Sequence, residues 1–358
     1  MITDKLYLTH SFDFSEDNKS LFRESFKETS RIHYEHNDYF KFLWDKHSFH
    51  PDQIKTERDL EKCPFIFVNL FKHKNMFTGP ESDIVLTLGS SGTGGQRSQI
   101  HLNSLSLERV KTLAYNIHRD LGITSDKKYN YLCFTYDPAV ANDLGTAFTD
   151  ELLTSFTNKN EVFYTFKHNG VDFEFDKPAT VNKLIEFSKS PYSTRILGFP
   201  AFLNDLIDEF NLNLDLGADS WLQTGGGWKT KADQEIPKGE FRRKINKHLG
   251  IPKENIRDLF GMVEHGIPYV DSANGVLRIP NYARVFIRDP KNLEVLPNGE
   301  RGLIQFLCSY NTSYPAVSLL TSDWGIKTED SFSEILTITG RAGISKNKGC
   351  AIQAAQML

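Results

Sequence analysis

A short run of glycines and hydroxyl side chains is the feature of this sequence most suited to chemistry. It reads Gly89-Ser90-Ser91-Gly92-Thr93-Gly94-Gly95-Gln96. Glycine lets the backbone approach an anion closely and adopt positive φ, and successive backbone N–H groups form an anion-binding concavity. The hydroxyl groups add donors that suit phosphate oxygens. The run therefore predicts a phosphate-binding loop, and a Gly/Ser surface loop is the plainer alternative.

Two common nucleotide motifs do not fit this run. In the Walker pattern G-x-x-x-x-G-K-[ST] the lysine position falls on Gly95, and no strand–turn–helix unit with a downstream acid supports a dinucleotide fingerprint. The preceding apolar segment 83–89 is interpreted as a buried strand. Because functional loops sit on rigid scaffolds, that strand favours the phosphate-binding interpretation.

Four further motifs carry groups that a bound nucleotide needs. They are Gly225-Gly226-Gly227, Phe260-Gly261-Met262-Val263-Glu264, Thr321-Ser322-Asp323 and Gly340-Arg341. Glu264 is a suitable Mg²⁺ ligand, Asp323 can accept hydrogen bonds from two hydroxyls, and Arg341 carries a permanent fork of donors. Each residue alone is explained as well by a solvated charge, a turn or a surface ion pair. The prediction of a nucleotide site rests on the order in which these motifs occur along the chain.

In this order the five motifs resemble those of the adenylate-forming superfamily, which contains acyl-CoA synthetases, peptide-synthetase adenylation domains and luciferases. The resemblance implies ATP and Mg²⁺ as cofactors, catalytic roles for Thr93 and Glu264, and Glu264 as the metal ligand. The implied nucleotide-binding residues are Ser90, Ser91, Gly92, Thr93, Gly94, Gly95, Gln96, Gly225, Gly226, Gly227, Phe260, Gly261, Asp323 and Arg341. Among them Phe260 would stack on adenine, Asp323 would hold the ribose hydroxyls, and Arg341 would reach the ribose or the phosphate.

This chain departs from the superfamily pattern at three positions. Gly94 stands where a threonine is common in the loop, Phe260 stands in place of tyrosine, and Val263 stands in place of threonine. Each change removes a hydroxyl group. The changes affect details of nucleotide contact and leave Glu264 in place.

The C-terminal tail points to one branch of the superfamily. Members usually continue after the Gly-Arg motif into a small domain whose lysine contacts the reacting carboxylate, and we expect that domain to be absent here. The tail after Arg341 and the segment TGGGWK (224–229) resemble the LuxE-type acyl-protein synthetases, the long-chain-fatty-acid–luciferin-component ligases. That branch implies acyl transfer from acyl-AMP to Cys350 as a thioester. Lys346 and Lys348 would lower the pKa of this thiol, and an unreactive cysteine in a frayed tail is the alternative.

The surrounding elements predict an α/β fold of the adenylate-forming type, with mixed sheets and a small β-rich part. We expect a mostly helical segment at 1–80, a core at 81–340 and a tail at 341–358. Helices are predicted from Ser104, which could be the N-cap, and over 239–249. The acid pocket is expected near Phe134, Tyr136, Gly198 and Phe199, by analogy with the superfamily.

Composition narrows the classes of function. The 42 Lys and Arg against 46 Asp and Glu give a net charge of −4, so no basic footprint suggests nucleic acid. The sequence contains neither a signal peptide nor a long apolar run, which predicts a cytoplasmic protein without a membrane span. Three of the four cysteines, Cys63, Cys133 and Cys308, lie in or beside apolar segments and are predicted to be core residues.

The predicted activity is ATP-dependent formation of acyl-AMP from a carboxylic acid, with a fatty acid favoured. The acyl group would then pass to Cys350 and on to a partner protein such as a reductase or carrier. The first alternative is a CoA or carrier-protein ligase of the phenylacetate type. The second is a nucleotide-binding module without catalysis.

Overall fold

The computed structural model describes residues 1–89, 98–137, 145–168, 173–228, 231 and 234–341. The helices are α1 (Ile2–Leu6), α2 (Glu16–His36), α3 (Asp38–Lys46), α4 (Glu57–Glu61), α5 (Ser104–Asp120), α6 (Gly145–Thr154), α7 (Lys177–Ser188), α8 (Pro200–Glu209) and α9 (Lys238–Leu249). The strands are β1 (Ile66–Phe67), β2 (Ile84–Gly89), β3 (Gln99–Asn103), β4 (Ser125–Tyr136), β5 (Thr157–His168), β6 (Phe173–Phe175), β7 (Thr194–Gly198), β8 (Trp221–Gly225), β9 (Ile256–Phe260), β10 (Tyr269–Asp271), β11 (Leu277–Arg278), β12 (Ala283–Arg288), β13 (Arg301–Cys308), β14 (Ser318–Glu329) and β15 (Glu334–Arg341). This is the mixed α/β fold that the sequence predicts.

One large sheet joins most of the described strands. Its order is β12-β13-β14-β15-β11-β10-β9-β8-β7-β4-β5-β6, and β1 pairs with β14. The strands β9, β8, β7, β4 and β5 are mutually parallel, whereas the β10–β15 half pairs antiparallel. The carboxyl ends of parallel strands meet at one edge, and ligands of open α/β sheets bind there.

Helices cover both faces of the parallel strands. Along β4, Tyr131 and Cys133 belong to the core cluster that includes α5, whereas Leu132 and Phe134 belong to the cluster that includes α7, α8 and α9. This explains why 129–136 is apolar without alternation: a parallel strand covered on both faces has no solvent side.

The N-terminal helices pack on the antiparallel half of the sheet. Phe22 and Phe26 are fully buried in the larger core cluster. The Ser25 hydroxyl donates to Ser309 Oγ at 2.6 Å, and Thr29 Oγ1 donates to the Ser309 carbonyl at 2.7 Å. The rings and hydroxyls of this segment therefore contact the segment that follows β13. Treatment of 1–80 as a separate unit remains a prediction.

Two sequence-based expectations are wrong in detail. The strand before the glycine-rich run is not buried throughout: β2 forms a two-stranded ribbon with β3, exposes Val85 and Thr87, and buries only Leu88 fully. The N-cap of α5 is Asn103, not Ser104, because the Asn103 side chain accepts a hydrogen bond of 2.8 Å from Ser106 N. The helix predicted at 239–249 begins one residue earlier, and it ends at Gly250, whose φ of 69° is typical of a glycine cap.

Within the described residues, no helix combines the length and the apolar character needed to cross a bilayer.

Candidate adenylate site

The candidate site lies where the parallel strands end. β4, β7, β8 and β9 run side by side, so Tyr136, Gly198, Gly225 and Phe260 all lie at the same edge of the sheet. The predicted pocket residue Gly198 ends β7, the glycine turn begins at the end of β8, and the Phe260 motif begins at the end of β9. The topology thus gathers residues that are more than a hundred positions apart in the chain.

The glycine turn after β8 requires its glycines. Gly226 and Gly227 have φ of 72° and 70°, two consecutive left-handed conformations that side chains with a Cβ rarely adopt. Beside the turn, the Thr224 hydroxyl donates to Asp258 Oδ1 at 3.0 Å, and Lys238 Nζ lies 3.7 Å from the other carboxylate oxygen. Burial raises the pKa of Asp258 to about 6. The sequence prediction missed this carboxyl, although it lies only two residues before the Phe260 motif.

The Phe260 motif places an aromatic ring and a carboxylate at the crevice. The half-buried Phe260 ring packs against Phe306, with ring centroids 6.0 Å apart. Glu264 is only 7% exposed. No cluster of three or more His, Cys, Asp or Glu suited to a metal occurs among the described residues. A single carboxylate still fits Mg²⁺, which binds through one or two carboxylates together with substrate phosphates.

His265, next to Glu264, takes no part in the crevice. It is 1% exposed, and its Nε2 lies 2.9 Å from the Tyr269 hydroxyl. Its ring also stacks on Phe306 at 4.6 Å between centroids. Burial lowers the pKa of His265 to about 3, so the ring is neutral and structural.

The pairing of β14 with β15 brings Asp323 and Arg341 together. The two residues face each other in the register, and Arg341 Nε lies 3.4 Å from Asp323 Oδ1. Burial raises the pKa of Asp323, Arg341 opposes this effect, and the charge of Glu264 adds to it. This mutual influence means that the Glu264, Asp323 and Arg341 side chains share one electrostatic environment.

An apolar cavity of about 210 Å³ is lined by Gly225 and Gly226 of the glycine turn and by Val263, the residue before Glu264. Phe134, Gly198 and Phe199 line it, as the sequence analysis expected, but Tyr136 is not among its lining residues. Gly198 has φ of 127°, and a Cβ there would come within 2.7 Å of Phe134 Cβ. Only glycine therefore permits this close approach of β7 to β4.

The structure does not place every predicted residue. The loop residues Ser90, Ser91, Gly92, Thr93, Gly94, Gly95 and Gln96, together with Cys350, lie outside the described residues. Gly89, the last residue of β2, does line the cavity beside Gly225 and Gly261. The phosphate-binding role of the loop and the role of Cys350 remain predictions.

The structure adds polar residues that the sequence did not indicate. Asp150, Thr135, His118 and Gln223 line the otherwise apolar cavity. Asp150 is one of two adjacent acids, Asp150 and Glu151, and the sequence does not show which of them faces the cavity. His118 and Gln223 gave no signal, because their relation depends on the packing of α5 against β8.

Known proteins agree with this architecture. A ligase for long-chain fatty acid and the luciferin component from Vibrio harveyi is 25% identical over 348 residues, covering 95% of this chain and 89% of its own. The enzyme of the same description from Aliivibrio fischeri is 25% identical over 368 residues, covering 100% of this chain and 94% of its own. The crystal structure of an open conformation of 2-hydroxyisobutyryl-CoA ligase, in complex with 2-HIB-AMP and CoA, has a TM-score of 0.70 at 16% identity. It covers 93% of this chain and 76% of that one.

The likeness to this structure shows an adenylate-forming type of fold, and the family match given next, with the two ligases above, defines the chain as an acid–thiol ligase. The family model for LuxE acyl-protein synthetases matches residues 1–358. The chain belongs to the LuxE acyl-protein synthetase family.

Proposed function

We propose that this chain activates a carboxylic acid with ATP and Mg²⁺, receives the acyl group on Cys350, and passes it to a partner protein. The observation that carries the proposal is the pairing of Asp323 with Arg341, close enough to Glu264 for its charge to act on Asp323. Val263, the residue before Glu264, lines an apolar cavity together with Gly225 and Gly226 of the glycine turn. A fatty acid is the favoured substrate, in keeping with the description of the Vibrio harveyi relative.

The first step forms the acyl-adenylate. A carboxylate oxygen of the acid attacks the α-phosphorus of ATP, and the bond from that phosphorus to pyrophosphate breaks. Glu264 would hold Mg²⁺, which offsets negative charge on the phosphates, while Ser90 to Gln96 would donate hydrogen bonds to them. Phe260 would stack on adenine, and Asp323 would accept from the ribose hydroxyls.

The second step transfers the acyl group to sulfur. The Cys350 thiolate attacks the acyl carbon, the bond from that carbon to AMP breaks, and the thiol proton is released to solvent. An acyl-adenylate is a strong acylating agent and a thiolate is a good nucleophile. An acceptor group on the partner protein would then displace the thiol.

Pyrophosphate exchange and acyl labelling test the two steps separately. With an accepted acid, wild-type protein should exchange labelled pyrophosphate into ATP and retain labelled acyl group through denaturation. Cys350→Ser should keep the exchange and lose the stable label. Cys63→Ala is the matched control, because the Cys63 thiol is 1% exposed and burial raises its pKa, so the label should survive.

Two results would contradict the proposal. Stable labelling of Cys350→Ser would remove the proposed role of that thiol, and direct release of acyl-CoA would then favour a CoA ligase. Absence of exchange with every acid tested would remove the adenylation step and favour a nucleotide-binding module.

A further inference from the structure

The cavity beside the candidate site contains a carboxyl group that the proposed chemistry does not use. Asp150, on α6, lines the cavity and is 9% exposed. Most of the surrounding lining is apolar, including Leu88, Leu102 and Leu153. The Thr135 hydroxyl, on β4, donates a hydrogen bond to the Asp150 carboxylate. A buried carboxylate can accept several further hydrogen bonds.

No cationic side chain in the described part of the chain forms an ion pair with Asp150. Burial accordingly raises the pKa of Asp150 to about 7. Burying an unpaired charge destabilises a fold, so structural residues at such positions are usually apolar or paired. The described residues therefore give no structural reason for burying this carboxyl.

The nearby histidine is not the missing counter-ion. His118 Nδ1 lies 2.7 Å from the Ala114 carbonyl and must donate to it, which leaves Nε2 as an acceptor. Gln223 Nε2 lies 2.9 Å from that acceptor and donates to it. Burial also lowers the pKa of His118 to about 4, so the ring is neutral. His118 and Gln223 satisfy one another and leave Asp150 to a ligand.

We propose that the acid activated by this chain carries a hydroxyl or amino group, and that Asp150 recognises this group inside the cavity. The inference rests on the proposed function and specifies its substrate class: a polar-substituted acid instead of a plain hydrocarbon chain. Either group can donate a hydrogen bond to the Asp150 carboxylate, and an ammonium group would also supply the absent positive charge. A site built around a buried polar group strongly rejects analogues that leave it unpaired.

The volume of the cavity guides the choice of probes. A cavity of about 150 Å³ holds benzene, so about 210 Å³ suits roughly eight to ten non-hydrogen atoms. Octanoic acid, with about ten non-hydrogen atoms, falls in this range, and its 2-, 3- and 8-hydroxy and amino derivatives exceed it by about one atom. Pyrophosphate exchange with each acid gives kcat/KM, and the hydroxy and amino arms distinguish the two donors.

We expect at least one substituted acid to exceed octanoic acid by about 100-fold or more in kcat/KM. Asp150→Leu should remove that preference, chiefly by losing the substituted acid. Asp150→Asn, which keeps the shape of the side chain, should reduce the preference at least tenfold. Glu151→Gln is the matched control: Glu151 is the exposed neighbour on α6, and its replacement should leave the preference unchanged.

The opposite pattern would overturn the inference while leaving the proposed function intact. Octanoic acid would then equal or exceed every derivative, and Asp150→Leu would preserve that ranking. Exchange with no acid at all would instead contradict the proposed function, and this inference with it. Binding of ATP to each variant, measured by calorimetry, confirms that a lost preference does not reflect a lost fold.

Discussion

Glu264 is the single residue on which the proposed adenylation depends most directly. It is nearly buried, its charge acts on Asp323, and no cluster of three or more metal-binding side chains occurs in the described part of the chain. Glu264→Gln should lower the rate of pyrophosphate exchange by about 100-fold, because an amide binds Mg²⁺ far more weakly than a carboxylate. The exchange rate measured against Mg²⁺ concentration checks this.

Glu300→Gln is the control for that experiment, since Glu300 is exposed and forms no salt bridge among the described residues. It should leave exchange unchanged. A Glu264→Gln enzyme with the wild-type rate and the wild-type Mg²⁺ requirement would show that the metal is held elsewhere.

Among individual residues, the sequence indicated those that lie in a short continuous motif. Asp323 and Arg341 are 18 positions apart, but each lies in a recognisable motif, and the strand register then joins them. Asp150 and His118 lie in no motif. Their importance depends on which face of a helix meets the cavity, and helical spacing alone does not determine that face. Burial and the lack of a cation became visible only in three dimensions.

Among the secondary structure elements, the close contact of β7 with β4 shapes the acid cavity. Gly198→Ala would place a Cβ 2.7 Å from Phe134 Cβ and would also strain a backbone at φ 127°. We expect a loss of stability of about 2–4 kcal/mol from overpacking and strain, together with weaker binding of the acid. Urea unfolding and the KM for the acid measure the two effects.

Gly122→Ala separates strain from overpacking. Gly122 has φ of 72° and no atom within 4 Å of the added Cβ, and it follows α5 away from the cavity. Its replacement should cost only about 1 kcal/mol and leave the KM unchanged. Equal effects of the two substitutions would mean that the contact with Phe134 does not define the cavity.

Prediction of the elements succeeded where both faces of a strand are covered and failed where only one is. The apolar run of β4 indicated a buried strand, because a parallel strand covered on both faces has no solvent side and needs no polar alternation. In β2 the exposed residues Val85 and Thr87 alternate with more buried ones, and this pattern does not distinguish a ribbon from the edge of the main sheet. The pairing of β2 with β3 distinguishes these two possibilities, and the residues of β2 alone do not reveal that pairing.

For the whole molecule, buried histidines make stability depend on pH. Burial lowers the pKa of His33 and His118 to about 4 and that of His265 to about 3. These folded-state values lie below the ordinary value of about 6.5, so between pH 6.5 and about 4 the unfolded chain binds protons that the folded chain does not. Each such histidine contributes stability that is fully present above pH 6.5 and is lost on acidification, on the order of 3 kcal/mol.

The buried carboxyls act in the opposite direction. Because the pKa of Asp150 is about 7 when folded, the folded chain keeps a proton that the unfolded chain releases, and acidification from pH 7 towards 4 stabilises the fold. Asp258, with a pKa of about 6, acts the same way over a narrower range. For these five groups, three histidines against two carboxyls leave a net uptake on unfolding of about one proton near pH 5.

The free energy of unfolding should therefore fall by about 1.4 kcal/mol per pH unit as the pH decreases from 6 to 4.5. Urea unfolding at several pH values measures this slope. His33 Nε2 lies 2.9 Å from the Asn311 carbonyl, and Gln at position 33 can keep that donor, so His33→Gln should reduce the slope by about one proton. His36→Gln, at the exposed end of the same helix, should not change it. A stability that is flat or rises on acidification would show that the buried carboxyls outweigh the buried histidines.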